Sequence, residues 1–257
     1  MIRVAAVGDI HLGRDSRGTL RPAFDTLDEC ADVLLLAGDL TRRGTVEEAE
    51  VVAGEVAGLP VPVVAVLGNH DYHSGLEAEV TAALTAAGVT VLEGEGTVID
   101  RGGTRLAVAG TKGFGGGFAG RSAGEFGEPE MKAFVALTRR CATGLRTSLE
   151  QLPRDTRTVR VALTHFSPVA DTLVGEPPEI HPFLGSCLLA EAIDEGGADL
   201  AVHGHAHKGV ERGMTAGGVR VRNVAQPVID SAFAVYRLHA EQPYTAGFCV
   251  SQEGDAR

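Results

Sequence analysis

Five short apolar runs in this chain lead into residues that can bind a metal ion. Residues 4–7 precede Asp9 and His11, 33–37 precede Asp39, and 63–67 precede Asn69, His70 and Asp71. Residues 159–163 precede His165, and 199–202 precede His203, His205 and His207. A mixed oxygen and nitrogen donor set of this kind suits Mn, Fe, Zn or Co. Two such ions held close by a shared carboxylate can deprotonate a bridging water near neutral pH, and the hydroxide attacks phosphorus in line. Asp9 and His11, two residues apart after a strand, can seat one ion. His205 and His207 repeat that spacing, so the pair could serve one ion or two.

The elements that carry these residues follow from pattern. Apolar runs of this length fit buried strands, and α/β sheets place their sites at strand C-terminal ends. Thr45-Val46-Glu47-Glu48 is a capping box that predicts a helix through Val56. Ser74 is read as the cap of a helix that Gly88 ends, residues 187–195 as a helix stopped by Gly196-Gly197, and 130–150 as another. Residues 97–100 and 105–109 predict a hairpin about Gly102-Gly103, and 219–222 with 233–236 a second hairpin with a longer connection. Strands that first alternate with helices and then run as hairpins predict an α/β fold of mixed sheets packed together, with helices outside. No repeat or linker divides residues 1–257, which are read as one domain with a loose tail at 251–257. The irregular stretches 112–127 and 167–185 are expected to form the substrate rim.

Composition narrows the partners. A formal charge of −11, with lysine only at positions 112, 132 and 208, argues against a broad face for extended nucleic acid and favours a small substrate. Cys30, Cys141, Cys187 and Cys249 form no CxxC pair, so neither a zinc knuckle nor a disulfide framework is expected. No apolar run approaches the roughly eighteen residues that span a bilayer, and Met1-Ile2-Arg3-Val4 leads straight into a strand. The expectation is a cytoplasmic protein with no membrane partner; the oligomeric state stays open.

In chain order, Asp9-x-His11, Gly38-Asp39, Gly68-Asn69-His70-Asp71, Thr164-His165 and Gly204-His205-Ala206-His207 resemble the full signature of the calcineurin-like metallophosphoesterase family. The resemblance runs from Ile2 to about Lys208. It implies a four-layer α/β/β/α sandwich of two mixed sheets, with a dinuclear centre of divalent ions at strand C-terminal ends. By similarity, Asp9, His11 and His207 would bind the first ion, Asp39 would bridge, and Asn69, His165 and His205 would bind the second. His70 would lie beside the phosphate as the catalytic residue, stabilising charge or protonating the leaving group. Two divalent ions bring four positive charges and the two aspartates cancel two, so the site attracts phosphate despite the acidic chain.

The Gly-Asp-Leu-Thr and Gly-Asn-His-Asp wording is similar to the bacterial branch that includes class III cyclic-nucleotide phosphodiesterases. That likeness implies a phosphodiesterase acting on small nucleotide-type substrates, with manganese among the candidate metals. The alternatives are a phosphomonoesterase or nuclease of the same family, or a catalytically silent scaffolding protein. Arg42 stands where the protein Ser/Thr phosphatases carry the Asp that orients the catalytic histidine, which weakens that assignment. Arg43 could clamp phosphate and Lys112 could reach it. Phe114 and Phe118 either stack on a base or anchor their loop to the core.

Overall fold

Each of the five apolar runs folds as a strand buried on both faces, as near-continuous Val, Leu and Ala runs require. These are β1 (Ile2–Val7), β2 (Val33–Ala37), β3 (Val63–Val66), β9 (Thr158–Thr164) and β10 (Leu200–His203) in a computed structural model that describes residues 1–240. Between and after them lie β4 (Val89–Val91), β5 (Glu95–Arg101), β6 (Thr104–Thr111), β7 (Gly117–Phe118), β8 (Arg121–Ser122), β11 (Arg212–Met214), β12 (Arg220–Asn223) and β13 (Ala234–Leu238). The helices are α1 (Arg21–Phe24), α2 (Leu27–Cys30), α3 (Val46–Val56), α4 (Glu77–Ala86), α5 (Pro129–Gln151), α6 (His181–Leu184), α7 (Cys187–Gly196) and α8 (Gln226–Ile229).

One sheet has the order β13-β1-β2-β3-β4, parallel except for β13, which runs antiparallel to β1 along its edge. The other has the order β11-β12-β10-β9-β6-β5, with antiparallel β11 and β5 flanking four parallel strands. The period of two along each strand divides the core into layers. Val4, Ala6, Leu35 and Val64 face Val108, Val161 and Val202 across the two sheets. Ala5, Leu34 and Leu36 on the opposite face meet Phe24, Leu27, Val52 and Leu84 of the first four helices. Ala107, Ala162 and Ala201, small enough for helices to approach closely, meet Leu145, Leu149, Leu189 and Ile193 of α5 and α7. The result is the expected four-layer sandwich. Truncating a fully buried leucine such as Leu36 or Leu163 to alanine costs about 2–5 kcal/mol.

The capping box at α3 forms as expected, and the Glu48 carboxylate also accepts the Arg43 main-chain N–H at 2.7 Å. Two local expectations fail. Ser74 does not cap α4: its hydroxyl donates to the Arg43 carbonyl at 2.7 Å, and the helix starts at Glu77. The hairpin expected from 219–222 and 233–236 does not form either. After β12 the chain crosses between the sheets: Val224 donates to the His203 carbonyl and its own carbonyl accepts from Gly8, so β13 joins β1 in the other sheet. Two short strands carry too little pattern to name a partner. Among the described residues no helix is long and apolar enough to cross a membrane. The tail expected at 251–257 lies outside the described residues.

Candidate metal centre

The loops leaving β1, β2, β3, β9 and β10 converge at one edge of the sandwich. Backbone pairing continues past the strand ends, with the N–H of Asp9 on the Gly38 carbonyl at 2.9 Å and that of His11 on the Asp39 carbonyl at 3.0 Å. Asp9, His11, Asp39 and His205 all have positive φ, at 56°, 40°, 50° and 70°. They are four of the five such non-glycine residues among the described ones; the fifth is Asp230. Side chains held in this region cost about 1–3 kcal/mol each, and such strain clusters where function over-determines the backbone. The glycines leave room for the site: a Cβ on Gly38 would lie 2.6 Å from His165 Nδ1, and one on Gly68 would overlap the Asp39 carboxylate.

Hydrogen bonds fix which ring nitrogens face inward. His165 Nδ1–H donates to the Ala37 carbonyl at 2.9 Å, so its Nε2 lone pair faces Asn69 Oδ1 at 3.0 Å and Asp39 Oδ1 at 3.3 Å. Three acceptors pointed at one another repel unless a cation sits among them. His205 Nε2–H donates to the Phe183 carbonyl at 3.2 Å, leaving Nδ1 for the same cluster. On the other side His207 Nε2 lies 2.9 Å from Asp9 Oδ1 and 3.4 Å from His11 Nε2. Asp39 stands between the two groups, with Oδ1 toward His165 and Oδ2 3.8 Å from His11 Nε2. Donor atoms of Asp9, His11 and His207 lie within 4.8 Å of one another, as do those of Asp39, His165 and His205.

Burial sets the protonation states that metal binding needs. It pushes His205 down to about 3 and His165 well below the ordinary imidazole value, and it lowers His11. These rings are therefore held neutral. Burial also raises Asp9 to about 6, although the hydrogen bond to His207 pulls the other way; that bond raises His207 in turn. Burial outweighs the pair at Asp9 because the carboxylate is only 3% exposed. Inward lone pairs, neutral imidazoles and two near-buried carboxylates form a donor set that fits divalent cations.

His70 sits at the rim, its ring centroid 4.5 Å from that of His11 and its Nε2 3.8 Å from Asp39 Oδ2. Its Nδ1–H donates to the main-chain carbonyl of Arg42 at 2.8 Å. The orienting acceptor is thus supplied by backbone, while the Arg42 side chain turns away to pair with Asp15 at 3.1 Å. His203 stays out of the cluster, fully buried between the Gly204 carbonyl and the Thr172 hydroxyl. Arg43 is exposed. The Lys112 ammonium lies 4.8–5.4 Å from the rings of Tyr72, Phe114 and Phe166. Phe118 is buried as an anchor against Leu173 and Leu184, whereas Phe114 lines an open cavity beside Asn69.

Asp71 plays a part that its sequence context did not suggest. Fully buried, its carboxylate accepts the N–H groups of Leu40, Thr41 and Gly68 and the Thr41 hydroxyl, at 3.2, 2.8, 2.8 and 2.6 Å. It ties the Asp39 loop to the Asn69 loop. The visible signal was an acid directly after Gly-Asn-His; what hid it was that all its donors but one are backbone.

An α/β/β/α sandwich with this cluster at its strand ends defines a metal-dependent phosphoester hydrolase. The model of the calcineurin-like phosphoesterase family matches residues 2–209, and the chain belongs to that family. No curated protein matches the chain. Among solved structures, phosphopantetheinyl hydrolase from Mycobacterium tuberculosis is similar at a TM-score of 0.67 and 17% identity, covering 91% of this chain and 95% of its own. TT1561 of Thermus thermophilus gives a TM-score of 0.57 and 17% identity, covering 87% of this chain and 89% of its own. GAP50 of Plasmodium gives 0.54 and 12%, covering 88% of this chain and 72% of its own.

Proposed function

We propose that the protein is a dinuclear phosphodiesterase for small substrates. Asp9, His11 and His207 would hold one divalent ion and Asn69, His165 and His205 the second, with Asp39 shared between them. The observation that supports this reading is the Asp39 carboxylate, whose two oxygens face different donor clusters. When bound, the ions supply Lewis acidity, polarising phosphate oxygens and lowering the pKa of water. The chain's own residues do the positioning. Ala37 and Phe183 carbonyls hold the imidazoles of His165 and His205 in the tautomers that present a lone pair inward. His70, held at Nδ1 by the Arg42 carbonyl, presents Nε2 to the site and, when protonated, can give its proton to the departing oxygen. A positioned acid of this kind contributes about 10²–10⁴-fold.

The test is hydrolysis of bis-p-nitrophenyl phosphate against p-nitrophenyl phosphate, with added Mn²⁺ and in chelator, with Asn69→Ala as control. Diester cleavage that needs metal and disappears in the variant is expected. Cleavage of the monoester alone makes the protein a phosphomonoesterase, and no cleavage of either favours a non-catalytic role.

A further inference from the structure

Beside the candidate centre lies an open cavity of about 450 Å³, within the range of small-molecule sites. Phe114, Phe134, Phe166, Phe183, Ile180 and Leu184 form its apolar wall. Asn69 and His205, both in the proposed ligand set, form its polar end, and none of its lining residues carries a carboxylate, ammonium or guanidinium group. The rings are staggered: Phe114 and Phe134 lie 4.9 Å apart at 58°, Phe134 and Phe183 6.4 Å apart at 85°, and Phe166 sits 4.3 Å from the His205 ring. Phe183 is 60% exposed and Ile180 37%, so the wall opens to solvent at these two side chains.

Four chain segments build this wall, and three of them also touch the centre; the fourth is α5, which supplies Phe134. Phe166 follows His165, the Phe183 carbonyl accepts from His205, and the Lys112 carbonyl at the start of the 112–118 loop accepts the His165 main-chain N–H at 3.1 Å, while Gly115 lets that loop reach α6, since a Cβ there would lie 2.5 Å from the Pro182 carbonyl. The cavity is therefore continuous with the place where a phosphate would sit, and fixed to it. We infer that it selects the substrate: the organic group esterified to the phosphate is uncharged and hydrophobic, with an aromatic ring or hydrocarbon segment lodged among the phenylalanines. This rests on the phosphoester reading above and adds the chemistry of the group next to phosphorus. Charged or polyhydroxylated groups are disfavoured because the phenylalanine wall offers them no partner and would strip their water; the Lys112 ammonium, 5.0 and 5.4 Å from the Phe114 and Phe166 rings, is buried and does not line the cavity.

The test is calorimetric titration of the Mn²⁺-loaded protein with inorganic phosphate, methylphosphonate, benzylphosphonate and 4-carboxybenzylphosphonate. These share the anionic head and differ only in what enters the cavity, and binding is read without turnover. Benzylphosphonate is expected to bind about 10–100-fold tighter than methylphosphonate, the worth of burying one phenyl group, with a more negative heat-capacity change. The carboxylate is expected to abolish that gain. Phe134→Ala, at a half-buried ring of α5 in the cavity wall, is expected to remove most of the benzyl gain and leave methylphosphonate unchanged. If phosphate and methylphosphonate bind but the benzyl group adds nothing, or adds as much in Phe134→Ala, the inference fails while the phosphoester reading stands. If no anion binds, that reading falls and takes the inference with it.

Discussion

Replacing Asp71 by asparagine separates the scaffold of the candidate centre from its ligands. The substitution keeps the side-chain shape and one oxygen, which can still accept from the Thr41 N–H and hydroxyl. The other oxygen becomes an NH₂ group facing the N–H groups of Leu40 and Gly68, so two buried donors lose their acceptor. Each loss costs about 1–3 kcal/mol. An offset comes from the charge itself: burial, against the hydrogen bond from Thr41 and helped by Asp39, raises the Asp71 carboxyl to about 6, and a neutral amide removes that penalty. The two losses together come to about 2–6 kcal/mol; with an offset of about 3 kcal/mol, the net loss is at most about 3 kcal/mol, or roughly 10 °C in melting temperature. Because the carboxylate joins the loops that carry Asp39 and Asn69, Mn²⁺ affinity should fall about 10–100-fold. Thermal melting in chelator and calorimetric Mn²⁺ titration measure the two effects. A variant that melts within about 1 °C of the parent, as judged against the shift expected per kcal/mol, and binds Mn²⁺ equally well refutes the tethering role.

Three further outcomes are expected. Arg42→Ala should change diester hydrolysis less than about twofold, because the main-chain carbonyl orients His70, whereas His70→Ala should lower kcat about 10²–10⁴-fold; parallel kinetics check both. Gly38→Ala should abolish metal binding by driving a Cβ into His165, while Gly18→Ala, also at positive φ but with nothing within 4 Å, should cost only about 1 kcal/mol. Mn²⁺ affinity should weaken as pH falls through about 6, since Asp9 then takes up a proton and His207 is raised as well. The metal competes with those protons, so the loss approaches about tenfold per pH unit per proton; an affinity flat from pH 7.5 to 5.5, followed by calorimetry, contradicts the assignment.

The gathering of the ligand-type residues at one edge was legible because each ends a strand, and strands end where a sheet opens to solvent. The four layers were legible in part: apolar runs named the strands, but the side on which β13 would pair depended on the crossing at Val224 and Ala225, where backbone bonds to His203 and Gly8 decide. Ser74 was misread because its hydroxyl had two possible backbone partners, and the Arg43 carbonyl won over a helix N-terminus. The orientation of His70 was invisible for a deeper reason. It rests on a carbonyl that every residue possesses, so no side-chain type at position 42 could announce it. The hydrophobic cavity was likewise hidden, since Phe114, Phe134, Phe166 and Phe183 are scattered along the sequence and meet only in the fold.

The most direct test of the central claim is metal stoichiometry: elemental analysis of the protein after Mn²⁺ loading and desalting, for the parent and for Asp39→Ala. The account predicts two ions per chain in the parent and loss of both, or retention of one at most, in the variant with the bridge removed. A folded parent that retains no ion, or a variant that still retains two, contradicts it.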